Sequence, residues 1–412
     1  MKHVVDNNLA SSRESRGPLA PWIDAFSVWV EQQGYTRSSV SRRVLLATGF
    51  NGWLEDEGID PGHLTSDHPA RYLQYRARRQ RLHKGDAAAL THLIDFLRLE
   101  GVVPIEKIPA GWTTEVEHHV LDYERFLRES RGLATATILN YVPFVRAFLQ
   151  GRFGDGQVTL SSLGASDIVG FVRQQASGLH KKRAKLMTTA LRSFLRFAHY
   201  SGDRVPDLTA AVPVVANWSM TSIPRAISAD QVHRLLTSID RGTAMGRRDY
   251  AIFLLLARLG LRSSEVVFLE LNDIDWGAGT LHAHTKGGAH KEFPLPHEVG
   301  EAIADYLRNG RPSSASRRVF LRCLAPAQGF RGPSSINSLI RHSIERAGVN
   351  APTFGAHQFR HSLATEMMRQ GASLSEIGDV LGHRHPDTTR IYAKVDIESL
   401  RALALPWPGG VR

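Results

Sequence analysis

An internal repeat limits the folds open to this chain more than any other feature of its sequence. Residues 24–96 can be laid over residues 122–194 with a shift of 98 positions, which becomes 99 in the middle. Within each copy, apolar residues recur at intervals of three and four, which is typical of amphipathic helices. We therefore predict two similar helical bundles, although two unrelated bundles could share so generic a pattern. The matched pairs are Asp24/Asp122, Gly34/Gly132, Val40/Ile138, Phe50/Phe148, Leu64/Leu163, Tyr72/Phe171 and Phe96/Phe194.

Both copies carry basic residues at a corresponding place, just before or at the start of the last predicted helix. A run of charges is most often a solvated surface. Because the run recurs at one place in a basic chain, contact with DNA phosphates is an equally strong interpretation. The predicted DNA-binding residues are Arg76, Arg78, Arg79, Arg81 and Lys84 (the first basic cluster) and Lys181, Lys182, Arg183 and Lys185 (the second basic cluster).

The charge of the whole chain also favours a polyanionic partner. Among 412 residues, 51 Lys and Arg face 40 Asp and Glu, so the formal net charge is +11. A basic chain of this kind points first to nucleic acid. The alternative is that the excess of Arg over Lys reflects only the composition of the genome.

The composition excludes several classes of protein. An apolar fraction of 42% and a charged fraction of 22% are ordinary for a folded chain and exclude wholesale disorder. The single cysteine, Cys323, rules out internal disulfides, thiolate zinc fingers and iron–sulfur clusters. The longest apolar run, Ala251–Leu261, is too short to cross a bilayer, and the polar N-terminus lacks the core of a signal peptide. We expect a soluble, intracellular protein with no membrane partner.

Five segments follow from these patterns, in a fold that is mainly α with one small β-hairpin. Residues 1–18 are a polar tail, 19–105 an extra helical DNA-binding module, and 106–206 a second helical module that it duplicates. Residues 207–227 contain few periodic apolar residues and two prolines, which predicts a linker. Residues 228–412 form the C-terminal domain.

Within the C-terminal domain, Ser228 is expected to cap a helix, and Asp249–Leu261, apolar on all sides, predicts a buried one. Alternating residues at 279–284 and 290–295 flank Lys286-Gly287-Gly288 and predict the hairpin.

Six residues of the C-terminal domain carry the strongest functional signal when they are considered together. Arg262 opens a helix that Ser263 or Ser264 would cap, and Lys286 lies at the hairpin tip. His357 and Arg360 share a helix face because they are spaced i and i+3. His383 follows a helix end marked by Gly382, and Tyr392 lies on a short helix after Pro386. In chain order they are Arg262, Lys286, His357, Arg360, His383 and Tyr392.

The motifs around these residues resemble those of the tyrosine recombinases, a family that includes phage integrases, Xer-type recombinases and transposon recombinases. They are Leu-Gly-Leu-Arg-x-x-Glu from 259, Lys-Gly at 286, His-x-x-Arg-His from 357, Leu-Gly-His from 381, and a tyrosine nine residues later. The resemblance covers residues 227–407, and residues 115–206 are similar to the family's core-binding domain. It implies SAM-like helical modules followed by a tyrosine-recombinase catalytic domain. Phe359 and Ser362 depart mildly from the usual motif, and many members lack the unit from 19 to 104.

The residue types suit phosphoryl transfer without a metal. Attack on a phosphodiester builds negative charge on the non-bridging oxygens, and two guanidiniums, Arg262 and Arg360, can hold these oxygens bidentately. Tyrosine is a poor nucleophile at neutral pH because its pKa is about 10. The chain has no phosphate-binding loop of the Gly-x-x-x-x-Gly-Lys-Ser/Thr type.

The resemblance assigns the remaining roles. It implies that Tyr392 forms an ester with a DNA 3′-phosphate, which conserves the bond energy, so that neither ATP nor a metal cofactor is implied. It implies a general acid in Lys286, assistance to proton transfer from Tyr392 by His357, and a hydrogen bond to the phosphate from His383. Glu265 is expected to support the basic groups.

Three alternatives remain at this stage. His357 and His361 at i and i+4, with His383 and His385, could form a zinc site, but the helix lacks the Glu of His-Glu-x-x-His and Arg360 would repel a cation. A DNA-relaxing enzyme of the type IB topoisomerase kind would share the same chemistry. A DNA-binding accessory protein without catalysis would not need the six residues.

The expected partners follow from the resemblance to a site-specific recombinase. We expect a double-stranded DNA recombination site and a homo-oligomer on it, a tetramer in the synapse, with accessory recombinases allowed. Residues 396–407 form an amphipathic pattern that either docks on a neighbouring protomer or packs within the chain. The extra first module favours an origin in a mobile element, and the resemblance implies a site-specific DNA recombinase of the integrase or transposase type. It also implies a bacterial cytoplasmic protein that is associated with the nucleoid when bound to DNA, with no metal site.

Overall fold

Four hydrophobic cores organise the structure, a computed structural model that describes residues 17–104, 114–201, 206–215, 225–284, 290–383 and 385–395. The first core gathers residues between Leu19 and Val103, the second between Val116 and Val212, and the third between Ile227 and Phe359. A smaller fourth core gathers Ala364, Ile377, Leu381 and Tyr392. The chain divides into two compact units: residues 106–221 form one, and residues 1–105 with 222–412 form the other.

The first core belongs to a bundle of four helices. Its centre is aromatic: the buried rings of Phe26 and Phe96 pack against each other, and the buried ring of Phe50 stacks on Trp53. A short 3₁₀ turn, Pro61–His63, separates the second helix from the third. The helices are α1 (Ala20–Gln32), α2 (Arg37–Asp56), α3 (Asp67–Ala77) and α4 (Asp86–Leu99).

The second bundle repeats this order of elements. It again has four helices, and a 3₁₀ turn, Leu160–Ser162, again lies between the second and the third. Most matched apolar positions of the repeat are buried in both copies, for example Phe50 with Phe148 and Phe96 with Phe194. The helices are α5 (Glu115–Arg125), which continues into a π turn (Phe126–Ser130), α6 (Thr135–Phe153), α7 (Ala165–Ala176) and α8 (Lys181–Tyr200).

Part of the segment predicted as a linker belongs to the second bundle instead. Val212 is buried in its core after a 3₁₀ turn, Thr209–Ala211. The Arg192 side chain donates hydrogen bonds to the carbonyls of Val212 (2.8 Å) and Pro213 (3.1 Å). The sequence did not indicate this packing, because a single buried valine and hydrogen bonds to backbone carbonyls leave no periodic pattern of apolar residues. Residues 216–224 of the predicted linker lie outside the described residues.

The C-terminal domain surrounds a buried central helix with further helices and a small sheet. Strands β1 (Ile274–Asp275), β2 (Thr280–His284) and β3 (His290–Pro294) pair antiparallel in the order β1-β2-β3. Leu281 of β2 faces Phe293 of β3, and both are buried. The predicted hairpin and the mainly α fold class are confirmed, and β1 adds a third strand. Residues 285–289 at the hairpin tip lie outside the described residues.

The helices of this domain begin largely where their capping residues predict. Ser228 and Ser373 each accept a hydrogen bond at a helix N-terminus within a reciprocal capping box. The buried helix starts earlier than predicted, after Thr243, and ends at Arg258. The helices are α9 (Ala229–Thr237), α10 (Ala244–Arg258), α11 (Ser263–Phe268), α12 (His297–Asn309), α13 (Pro333–Ala347), α14 (His357–Arg369), α15 (Leu374–Leu381) and α16 (Pro386–Thr389), with a 3₁₀ helix, Arg390–Val395, after α16.

No helix in the described ranges is both long enough and apolar enough to cross a membrane.

The core of the first bundle can be tested with two leucines on one helix. Leu93 and Leu99 both lie on α4, but Leu93 is 1% exposed and Leu99 is 74% exposed. We expect Leu93→Ala to lower the free energy of unfolding by about 2–5 kcal/mol, because it removes buried methyl groups and leaves a cavity. Leu99→Ala should change it by less than about 0.5 kcal/mol. Urea denaturation of the full chain measures both, and similar losses for the two variants would contradict the assigned packing.

Candidate active site

Five of the six predicted catalytic residues converge in the C-terminal domain. They come from the start of α11, from α14, from the turn after α15 and from the final 3₁₀ helix. The arginines are close enough to influence the pKa of His357, His383 and Tyr392. The sixth, Lys286, lies outside the described residues.

Arg262 is fixed by Glu265, which is 1% exposed at its side chain. Arg262 donates its backbone N–H to Glu265 Oε2 at 2.8 Å and its Nη1 to Oε1 at 2.7 Å. Arg262 is therefore itself the N-terminal cap of α11, and the prediction that Ser263 or Ser264 fills this position is wrong. One carboxylate both satisfies a backbone N–H at the start of the helix and aims the guanidinium.

Arg360 is a buried cation that the backbone holds in place. It is 4% exposed, and it donates hydrogen bonds to the carbonyls of Gly260 (2.7 Å) and Leu381. These bonds tie α14 to the turn before α11 and to the end of α15. Burial, followed by the charge of Arg262, lowers the pKa of Arg360 to about 10. No carboxylate forms an ion pair with Arg360 within the described residues, so this site favours an anion.

Gly260 allows the two arginines to approach. Its φ of +61° lies in the left-handed region, and a Cβ there would meet side-chain atoms of Leu363 and Leu381 at 3.0 Å. A larger residue would have a strained backbone and would crowd these two leucine side chains. The Leu-Gly-Leu-Arg motif therefore has a structural reason at its glycine.

Tyr392 is buried between two histidines. It is 1% exposed, and its hydroxyl lies 2.9 Å from Nδ1 of His361. The ring of His383 is parallel to the tyrosine ring at a centroid distance of 6.3 Å, and its Nδ1 lies 2.8 Å from Oγ1 of Thr389. Burial raises the pKa of Tyr392 to about 12, although Arg360 and Arg262 oppose this.

The three histidines around this tyrosine are held in the neutral form. Burial first, and then neighbouring cations or histidines, lower the pKa of His361 and of His383 to about 4. The pKa of His357 is lowered for the same kind of reason, burial and the two arginines. At neutral pH these rings can accept protons while the arginines carry the positive charge.

Lys291 is a neighbour of this site that the sequence analysis missed. It lies on β3, and its Nζ donates to the carbonyls of Val380 (2.9 Å) and Asp379 at the end of α15. Burial, followed by Arg360, lowers its pKa. Alternation along β3 contained the signal, because Lys291 and the buried Phe293 must share a face. Lys291 thus attaches the hairpin to the helix end that precedes His383.

His361 is the second residue that sequence reasoning passed over. It was considered only as a ligand of the alternative zinc site, yet it and not His357 contacts the tyrosine hydroxyl. Among the described residues, no three His, Cys, Asp or Glu side chains are grouped as around a metal ion.

The two basic clusters lie on exposed surfaces of the bundles. The first begins at the end of α3, where Arg79 stacks over the Tyr75 ring at 4.2 Å, and continues into the connection to α4. The second occupies the first turn of α8, where Arg183 donates to Oδ1 of Asn140 at 2.9 Å. Cations are favourable at the end of α3 but unfavourable at the start of α8, where the helix dipole is positive.

Comparison with known proteins agrees with this geometry. The family model described as "Phage integrase family" matches residues 225–399, and "Phage integrase, N-terminal SAM-like domain" matches residues 120–202. A protein of Sinorhizobium fredii named "Putative integrase/recombinase y4rA" is 55% identical over 409 residues, which cover 99% of each chain. The chain belongs to the phage integrase family of tyrosine recombinases. It is thus an enzyme that breaks and rejoins DNA.

Other relatives are similar to this chain over about two thirds of its length. Tyrosine recombinase XerC of Rhodospirillum centenum is 32% identical, and the match covers 67% of this chain and 82% of that protein. A crystal structure of XerH recombinase bound to a palindromic difH substrate gives a TM-score of 0.55 at 18% identity, covering 71% of this chain and 88% of that one. The likeness to the XerH structure shows a shared fold. The y4rA match also includes the first bundle.

The lowered pKa of the half-buried His361 predicts that acid destabilises the C-terminal domain. The folded-state pKa of His361 is about 4 against a usual 6.5, so the unfolded chain binds more protons between these values. This contribution to stability is complete above pH 6.5 and is lost as the pH falls towards 4. We expect the free energy of unfolding to fall less steeply over this interval in His361→Asn than in the wild type, measured by urea denaturation at stepped pH. Equal slopes would contradict the assigned burial of the neutral ring.

Proposed function

We propose that this chain is a site-specific recombinase that cuts and rejoins duplex DNA through a 3′-phosphotyrosine at Tyr392, with neither metal nor ATP. The observation that supports this most is the position of Tyr392 beside a buried cation, Arg360, that lacks a carboxylate partner within the described part of the chain. A phosphodiester is the anion that such a cation and such a nucleophile would share.

Arg262 and Arg360 are proposed to hold the non-bridging oxygens of the scissile phosphate. Glu265 orients one guanidinium and backbone carbonyls orient the other, so their donors need little rearrangement when charge develops. Preorganised donors of this kind stabilise a transition state more than a flexible pair would. His383 is proposed to add a hydrogen bond from the end of α15. The resemblance implied that His357 assists proton transfer from Tyr392, but the tyrosine hydroxyl contacts His361 and not His357, so His357 is proposed to hydrogen-bond the phosphate instead.

Lys286 is proposed as the general acid that protonates the leaving 5′-oxygen. Its support is the resemblance of its motif, together with the hydrogen bonds of Lys291, which attach the hairpin to α15 beside the site.

Both basic clusters are proposed to contact the DNA backbone. The second cluster places Lys181, Lys182 and Arg183 where the helix dipole repels them, and no carboxylate lies in the first turn of α8. Phosphate oxygens would remove this repulsion. The first cluster would extend the contact to the additional bundle.

The reaction is proposed to take place in a homotetramer on paired DNA sites. A lambda integrase tetramer bound to a Holliday junction and a Tn1549 transposon integrase in complex with transposon end DNA share the fold, each with a TM-score of 0.50 at 16% identity. Accessory recombinases and a mobile-element origin belong to the same proposal. Cytoplasmic location in a bacterium follows from a chromosomal or mobile DNA substrate.

The mechanism is tested by trapping the covalent intermediate. A nicked duplex that carries the terminal sequence of the genetic element encoding the chain should accumulate a covalent protein–DNA adduct, because the short strand diffuses away after cleavage. Tyr392→Phe should abolish the adduct, since it lacks the nucleophilic oxygen, while DNA binding persists. Denaturing gel electrophoresis measures the adduct, and a chelator should leave its yield unchanged. An adduct that survives in Tyr392→Phe would overturn the proposed nucleophile.

The DNA contact of α8 is tested by removing two charges. Lys181→Gln with Lys182→Gln should weaken binding and reduce the slope of log affinity against log salt by about 0.9 for each phosphate that is no longer neutralised. The matched control is Arg125→Gln with Arg128→Gln, which changes the net charge equally in the same bundle but removes arginines paired with Asp122 and Glu124. Fluorescence anisotropy at several salt concentrations measures both slopes. Equal slopes in the two double variants would contradict the proposed binding of phosphate by α8.

A further inference from the structure

His361 is a half-buried histidine that contacts the hydroxyl of Tyr392 and has no role in the scheme above. Its Nδ1 lies 2.9 Å from the hydroxyl oxygen of Tyr392, and the two rings meet edge to face with centroids 5.5 Å apart. The residue lies on α14, one position after Arg360, so the helix that holds the phosphate-binding arginine also holds this ring.

The other groups around Tyr392 are less suited to take its proton. Arg360 and Arg262 are cations and offer only donors. His383 is parallel to the tyrosine ring, and its Nδ1 is engaged with Thr389. His357 neighbours His361, with ring centroids 6.4 Å apart. Within the described residues, one base lies within hydrogen-bond distance of the hydroxyl, and it is Nδ1 of His361, which accepts the proton in the tautomer that carries its hydrogen on Nε2.

We propose that His361 is the general base that accepts the hydroxyl proton of Tyr392 during DNA cleavage and returns it during rejoining. This rests on the proposed function. As the bond from the tyrosine oxygen to phosphorus forms, the proton moves to Nδ1 of His361, and Nε2 carries the other ring hydrogen throughout. The bond from phosphorus to the 5′-oxygen breaks, and that oxygen takes its electron pair and a proton from the general acid. Every step reverses when the 5′-hydroxyl attacks the phosphotyrosine.

The electrostatics make this transfer dependent on DNA. The groups that face His361 are His357, Arg360 and Tyr392. With the pKa of His361 at about 4 and that of Tyr392 at about 12, the free protein keeps the proton on the tyrosine. When a phosphate is attacked, the negative charge appears on its oxygens beside the arginines and no free phenolate forms. The cationic ring then gains a compensating anion, so the nucleophile is activated only with its substrate in place.

Two substitutions separate proton transfer from positioning. In His361→Asn, the side-chain oxygen can still accept the tyrosine hydrogen bond but cannot take the proton. In His361→Ala, the ring is removed and leaves room for imidazole. On a nicked duplex that traps the wild type and not Tyr392→Phe, we expect either change to slow single-turnover adduct formation by about 10²- to 10⁴-fold. DNA affinity should stay unchanged, which also shows that the variants are folded.

Added imidazole and a sulfur-substituted DNA show whether His361 acts on the proton of the Tyr392 hydroxyl or on the proton given to the leaving 5′-oxygen. Added imidazole should accelerate His361→Ala in proportion to its unprotonated fraction and should not accelerate His361→Asn. A duplex with sulfur in place of the bridging 5′-oxygen needs no acid for its leaving group, so it should rescue Lys286→Ala and leave His361→Asn slow. The control is His342→Asn, an exposed histidine of α13, which should cleave at the wild-type rate.

Three results would overturn the assignment. His361→Asn could cleave as fast as the wild type or faster, which would make the contact a restraint on Tyr392. The sulfur substrate could rescue His361→Asn, which would assign the residue to the leaving group. His361→Ala could fail to respond to imidazole while remaining folded and DNA-bound. Failure of the wild type to form any Tyr392-dependent adduct would instead count against the proposed function.

Discussion

The buried guanidinium of Arg360 is the interaction on which the site depends. Its hydrogen bonds reach Gly260 before α11 and Leu381 at the end of α15, so three separate stretches of the chain meet at one cation. Burial makes such a charge costly unless hydrogen bonds and an anion compensate it. The backbone carbonyls supply the hydrogen bonds, and a DNA phosphate would supply the anion. The stability of the empty site and the affinity of the occupied one are therefore linked.

The same burial sets the protonation states around Arg360. Low solvation and the two arginines keep the pKa of His361 and His383 near 4 and the neighbouring tyrosine protonated. The resting site thus concentrates positive charge in groups that cannot act as bases and keeps its bases neutral. A substrate that brings negative charge changes this balance at once, which is why the arrangement suits phosphoryl transfer.

The two helical bundles show which features the spacing of apolar residues predicts and which it does not. The repeat predicted two bundles, and the structure has the same order of helices and 3₁₀ turns in both, because buried apolar spacing is local information. Val212 was misread as linker, since one buried valine and backbone acceptors carry no periodicity. The cap of α11 was also misread, because Glu265 bonds both the backbone N–H and the guanidinium of Arg262, and arginine is not among the usual capping residues.

The sequence by itself determined the class of fold, the family and the residues from which the site is built, because the spacing of motifs and of apolar positions is written along the chain. Only the tertiary structure decided which of those residues touch. The motif resemblance pointed to His357 as the partner of Tyr392, but the fold places the tyrosine hydroxyl against His361, 31 positions earlier in the chain. Lys291 becomes part of the surroundings only because β3 lies against the end of α15. Contacts between distant segments depend on how helices pack and end, and no local pattern contains that information.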